Sequence, residues 1–148
     1  NYLKTTSISY GVINFEEKVQ IYGEDLVRKK IFSHFSKFYN ENKSLSEKFV
    51  SIGSCSTMTT LCSVFQNLPF YNPIKIEGFE MSCEQVVNTI NYINKLSVSD
   101  LKTHPCIKEK YKLLKSGIEI LLFIIKVFPI KRIITTHKGL RDAIIDEL

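Results

Sequence analysis

The chain has 148 residues, 44% of them hydrophobic, enough for one ordinary domain with a core of its own. Twenty Lys and Arg against fifteen Asp and Glu leave a formal charge of +5, spread along the sequence. No block of five like charges occurs, so a nucleic-acid-binding module rests on charge alone, and no nucleic acid is expected as partner.

Cys55, Cys62, Cys83 and Cys106 are irregularly spaced, with no C-x-x-C pair, and His34, His104 and His137 stand away from zinc-ligand spacings. Free thiols in a reducing cytosol are the expectation, with Cys62 buried on the apolar face of a helix and no metal ligands in the chain. No basic stretch followed by an apolar one opens the chain, which gives no sign of a secretory signal, so a cytoplasmic location is expected. The longest apolar run, Ile118 to Ile130, is thirteen residues and contains Lys126 and Pro129, so it reads as a core helix and no membrane is expected. The first residues, "NYLKTTSISYGVINFEEKV", start in mid-pattern without a methionine, as in a processed product or a piece of something longer.

In chain order, Thr5 to Phe15 is rich in β-branched and aromatic residues in rough alternation and predicts a strand. After Gly23, the spacing of Leu26, Val27, Ile31, Phe32, Phe35 and Phe38 predicts a helix, with Glu24 and Asp25 at its positive end. Asn40 to Glu47 is a polar loop. Phe49, Val50 and Ile52 predict a short strand, and Met58, Leu61, Cys62 and Phe65 a helix with one buried face. Asn67 to Met81 carries Pro69, Pro73 and Gly78 and reads as an irregular connection. Ser82 and Gln85 form a capping box ahead of Val86, Val87, Ile90 and Ile93. "SVSDLKTHP" predicts a short capped turn stopped by Pro105. Ile107 to Phe128 is a long helix ended by Pro129, Arg132 to Thr135 a strand, and Gly139 to Leu148 a closing helix. This alternation predicts a single α/β domain over residues 1–148, a central mostly parallel sheet with flanking helices.

Two turns carry candidate chemistry. Gly53, Ser54, Cys55, Ser56 and Thr57 link a strand to a helix N-terminus, where backbone N–H groups and a Ser56 or Thr57 hydroxyl can face phosphate oxygens. The same residues can equally serve as a plain connection, with Ser56 or Thr57 capping the helix. The spacing and lysine of a Walker A loop are absent. In "ITTHKGLRDAII", His137 can act as general acid or base and Arg141 as a phosphate clamp, or His137 is a solvated loop residue and Arg141 pairs with Asp142 or Glu147. His34 lies among phenylalanines and His104 precedes Pro105, so both read as structural.

Taken together, "SIGSCSTMTTLCSVFQNLPFYNPIKIEGFEMS" and "RIITTHKGLRDAIIDEL" resemble the C-terminal half of the exopolyphosphatase/guanosine pentaphosphate phosphohydrolase (Ppx/GppA) family. That family's G-x-G-G-T-x-T-T-L-A turn is matched at Gly53, Thr59, Thr60 and Leu61, and its Y-x-P…V-H-G connection at Tyr71, Pro73 and Gly78. Gly117 falls where the family's long helix has a glycine, and Gly139, Leu140 and Arg141 match the last V-S-D-R-G-L-R-E-G motif. Ser54-Cys55-Ser56, or Cys55-Ser56-Thr57 in a shifted register, replaces the G-G-T of the turn, and His137 stands where the last motif has Asp. "TTSISYGVINFEE" is similar to a strand of the family as well.

The resemblance implies an RNase H-like domain of the actin-like ATPase superfold with its first hairpin missing, hence a bare sheet edge beside the Thr5–Phe15 strand that recruits a covering strand. It implies a phosphohydrolase of the terminal phosphoanhydride of inorganic polyphosphate or guanosine pentaphosphate (pppGpp). Mg²⁺ and a catalytic glutamate would be supplied by a missing N-terminal domain. Gly53 to Thr57 would face phosphate, with His137 and Arg141 near the cleft, no catalytic residue in this chain, and a possible homodimer. The alternative is a degenerate, non-catalytic module of the same fold that binds a nucleotide or protein partner.

Overall fold

The structure, a computed structural model, describes residues 4–43, 50–139, 142 and 145. The chain divides into two compact units, one from residues 1–49 and 115–129, the other from residues 50–114 and 130–148.

The first unit is helical among its described residues. Helix α1 (Phe15–Tyr22) leads through Gly23 into α2 (Glu24–Glu41), which opens with Glu24 and Asp25 as its dipole favours. Phe15, Val27, Ile31 and Phe35 form the core cluster, and Phe123, Ile124, Val127 and Phe128 of the segment 115–129 pack on it. The Phe128 ring meets Phe35 and Tyr39 edge-on, with centroids 6.3 and 5.5 Å apart. Arg28 bridges Glu24 and Glu119 at 2.7 and 2.9 Å. Leu26 and Phe32, expected on the buried stripe, are exposed: only Val27, Ile31 and Phe35 of α2 are buried.

No strand forms over the described part of Thr5–Phe15, which corrects the expectation. Local side chains take its backbone groups instead. Asn14 Oδ1 accepts from the Gly11 N–H at 2.8 Å, and Lys18 Nζ and Asn14 Nδ2 donate to the Ser9 carbonyl at 2.6 and 3.3 Å. Ile8 and Tyr10 pack on the helical core rather than lying in a sheet. The bare edge expected beside this strand therefore has no strand to lie beside.

The second unit holds a three-stranded sheet in the order β1 (Ser51–Gly53), β3 (Arg132–Thr135), β2 (Phe79–Ser82). β1 pairs with β3 in parallel and β2 with β3 antiparallel, so the sheet is mixed rather than mostly parallel. β2 lies inside the stretch read as an irregular connection. Its alternation is confined to four residues, with Met81 buried and Glu80 outside, where it pairs with Arg132 at 3.0 Å. Helix α3 (Ser56–Phe65) follows β1, and the single turn α4 (Pro73–Ile76) is capped by Asn72. Helix α5 (Cys83–Lys95) opens with both bonds of the Ser82–Gln85 capping box, and α6 (Val98–Thr103) repeats the device with Ser97 and Asp100. A short 3₁₀ turn (Lys108–Lys110) precedes α7 (Tyr111–Val127). Met58, Leu61, Ile76, Met81, Val86, Ile90 and Ile133 build the core under the sheet, each worth about 1.5–3 kcal/mol of burial. The closing helix expected over Gly139–Leu148 lies almost wholly outside the described residues.

Candidate functional site

β1 and β3 run parallel with Gly53 opposite Thr135, so the segments leaving both strands emerge at one edge of the sheet. The Thr136 N–H donates to the Gly53 carbonyl at 3.1 Å and carries the ladder one step further. β2 starts at the same edge with Phe79 opposite Thr135. The turn into it passes through Gly78, held at φ +71°, whose N–H donates to the Thr135 carbonyl at 2.9 Å. Residues 54–57, 77–78 and 136–139 therefore converge beyond the C-terminal ends of two parallel strands, the edge at which α/β sheets bind ligands.

Gly53 is required by close approach. A Cβ there would stand 2.5 Å from Met58 Cγ and 3.2 Å from Ile133 Cγ2, so only glycine lets α3 fold back so tightly over the strand end. Cys55, in extended backbone, is the N-cap of α3, and its side chain makes no capping bond. Neither Ser56 nor Thr57 caps the helix, because both are already helical. The first-turn N–H groups thus keep the positive end of the helix dipole without a side-chain acceptor. Ser54, Cys55 and Ser56 are exposed, whereas Thr57 is 4% exposed, so Ser56 is the hydroxyl of the pair open to a ligand. Two of the buried hydroxyls behind the turn are satisfied within the helix, Thr59 donating to the Ser56 carbonyl at 3.2 Å and Ser63 to that of Thr59 at 2.8 Å. Cys62 is fully buried, burial pushes its thiol up, and Gln66 Nε2 donates to its Sγ at 3.1 Å.

The segment after β3 is built in the opposite way. The Thr136 hydroxyl lies 2.9 and 2.8 Å from the two carboxylate oxygens of Glu77 and donates to this carboxylate. The His137 N–H donates to Glu77 Oε2 at 3.1 Å, and His137 Nδ1 lies 2.7 Å from the same oxygen. The Thr136 hydroxyl, followed by the His137 N–H, holds the Glu77 carboxyl below the usual range. One turn on, Asp142 Oδ2 accepts the Gly139 N–H at 2.6 Å, which lowers the Asp142 carboxyl in the same manner. His137 is thus paired with a carboxylate rather than merely solvated, and its side chain is 34% exposed. Arg141 lies outside the described residues.

Glu77 escaped the sequence reading because sixty positions separate it from His137. No local spacing signals the contact, since it forms only when β2 and β3 bring the two segments to one edge. The other histidines are structural: His34 Nε2 meets the Thr6 hydroxyl at 2.7 Å, and His104 Nδ1 accepts the Cys106 N–H at 3.2 Å. Among the described residues, no group of three or more His, Cys, Asp or Glu side chains could hold a metal ion, and no helix is long and apolar enough to cross a membrane.

No protein-family model matches the sequence, and no curated protein does. Solved structures do match. A type II variant of the Ppx/GppA phosphatase of Aquifex aeolicus superposes with a TM-score of 0.72 at 19% identity, over 98% of this chain and 49% of that one. Two further structures of the Aquifex aeolicus enzyme superpose with TM-scores of 0.67 and 0.68 at 19% and 18% identity, each over 93% of this chain. The chain spans about half the length of the solved structures it matches. It has the fold of half of a Ppx/GppA phosphatase.

Proposed function

We propose that the chain is the C-terminal, RNase H-like portion of a Ppx/GppA-type phosphohydrolase that cleaves the terminal phosphoanhydride of inorganic polyphosphate or pppGpp. The observation that carries this reading is the Gly53–Thr57 turn. It follows a strand that ends beside β3, closes tightly enough to demand Gly53, and leaves the start of α3 without a side-chain cap. In hydrolysis, water attacks the terminal phosphorus, the bridging P–O bond breaks, and the shortened chain leaves with that oxygen. This half supplies one wall: backbone N–H groups of the turn and the Ser56 hydroxyl donate to non-bridging oxygens, with His137 beside them. The nucleophile's base belongs to an N-terminal domain, so this chain by itself does not turn over substrate. In this reading Mg²⁺ goes with that domain as well. Cytoplasmic location and a homodimer go with this reading.

Support for the second reading, a non-catalytic module binding a nucleotide or a protein, comes from Ser54-Cys55-Ser56, whose side chains crowd the approach that glycines leave open. Phosphate release from long-chain polyphosphate and from pppGpp, with Mg²⁺ and the full-length protein, separates the two. Release above buffer is expected, and none from either substrate would establish the non-catalytic module.

A further inference from the structure

Glu77 is out of place in a phosphate site. It sits at the strand edge where the reading above puts a polyanion, and its carboxyl is held in the charged form by the Thr136 hydroxyl and the His137 N–H. A fixed negative charge there repels phosphate. Its partner resolves the conflict. His137 Nδ1 is committed to Glu77 Oε2 at 2.7 Å, which fixes the ring on that contact and leaves Nε2 as the nitrogen outside it. With Nδ1 donating, the neutral ring has a bare Nε2, an acceptor that gives a phosphate oxygen nothing. One proton turns it into a donor and cancels the Glu77 charge.

We infer that Glu77 and His137 form a proton-linked anion clamp beside the Gly53–Thr57 turn, a step that rests on the phosphate-binding reading. When a phosphate oxygen arrives, His137 takes one proton from solvent, and the imidazolium donates through Nδ1 to Glu77 and through Nε2 to the phosphate. Glu77 is a positioning residue that acts through the ring. Among the described residues, Asp142 interacts electrostatically with both His137 and Lys138, all on the segment after β3. Closeness to the turn follows from the backbone: the Thr136 N–H is bonded to Gly53, one residue before His137 and one before Ser54. A clasp that only ties residue 77 to the end of β3 would need no exchange of protons on ligand binding.

Calorimetric titration of the full-length protein with inorganic tripolyphosphate, in buffers of differing ionisation enthalpy near neutral pH, reads that exchange directly. The wild type is expected to take up a measurable fraction of one proton per ligand bound, in excess of the value for His137→Asn. Glu77→Gln is expected to reduce the uptake and weaken binding about tenfold, the value of one charge-assisted hydrogen bond, with Glu77→Asp restoring part of both. Both side chains are partly exposed, 39% for Glu77 and 34% for His137, so the variants fold. Binding with the same proton count in wild type and His137→Asn overturns the clamp and leaves the phosphate-binding reading standing. Unchanged uptake and affinity in Glu77→Gln overturns the positioning role. Absence of tripolyphosphate binding overturns both the clamp and the reading beneath it.

Discussion

The turn after β1 and the turn after β3 begin at paired residues, Gly53 and Thr135, yet they satisfy their polar groups in opposite ways. After β1, a side chain is excluded at Gly53 and the N-cap side chain of Cys55 is unused, so the first turn of α3 offers donors without a local acceptor. After β3, the Glu77 carboxylate gathers the Thr136 hydroxyl, the His137 N–H and His137 Nδ1, while Asp142 takes the Gly139 N–H. One segment is left open to an anion and the other has its anions built in. Where a sheet edge holds both, a phosphate bound at the first must come to terms with the charge at the second.

The difference can be broken most severely at Gly53. Gly53→Val forces a side chain into Met58 and Ile133 and is expected to lower stability by about 3 kcal/mol, read from urea unfolding. A loss under about 0.5 kcal/mol, the level of a neutral surface change, would show that the strand end is loosely packed. Cys55→Asp works in the opposite direction. An acid at the unused N-cap position supplies the missing acceptor and is expected to raise stability by about 1 kcal/mol, again by urea unfolding.

The smallest effect is on the segment after β3 and appears with pH. Glu77 has a folded-state pKa below its unfolded one, so its stabilisation is complete above the ordinary carboxylate range and is lost as pH falls through the folded value. Unfolding midpoints of the wild type should therefore drop on acidification more than those of Glu77→Gln, whose amide does not titrate. Parallel curves for the two proteins would mean that Glu77 contributes nothing to folding through its charge.

Features governed by near neighbours were legible in the sequence. The Ser82–Gln85 capping box, the Ser97 start of α6 and the four residues of β3 were readable because caps and short apolar strands act within a few positions. Thr5–Phe15 misled because its β-branched residues carry strand propensity, while Asn14 and Lys18 capture the backbone that a ladder would need. β2 was hidden because four residues between a Gly turn and a cap show too little alternation to outweigh the punctuation. At the site, the Gly53 turn was visible as a local pattern. The Glu77–His137 contact was not, because it exists only once two strands bring distant segments to one edge.

The claim that the Gly53–Thr57 turn faces phosphate is tested most directly by comparing the affinity of long-chain polyphosphate for the wild type and for Cys55→Asp. The substitution stabilises the helix while placing a negative charge and a competing acceptor at its N-terminus. Cys55→Asp is expected to bind polyphosphate about tenfold more weakly despite being the more stable protein. Equal affinity in the two proteins would contradict it.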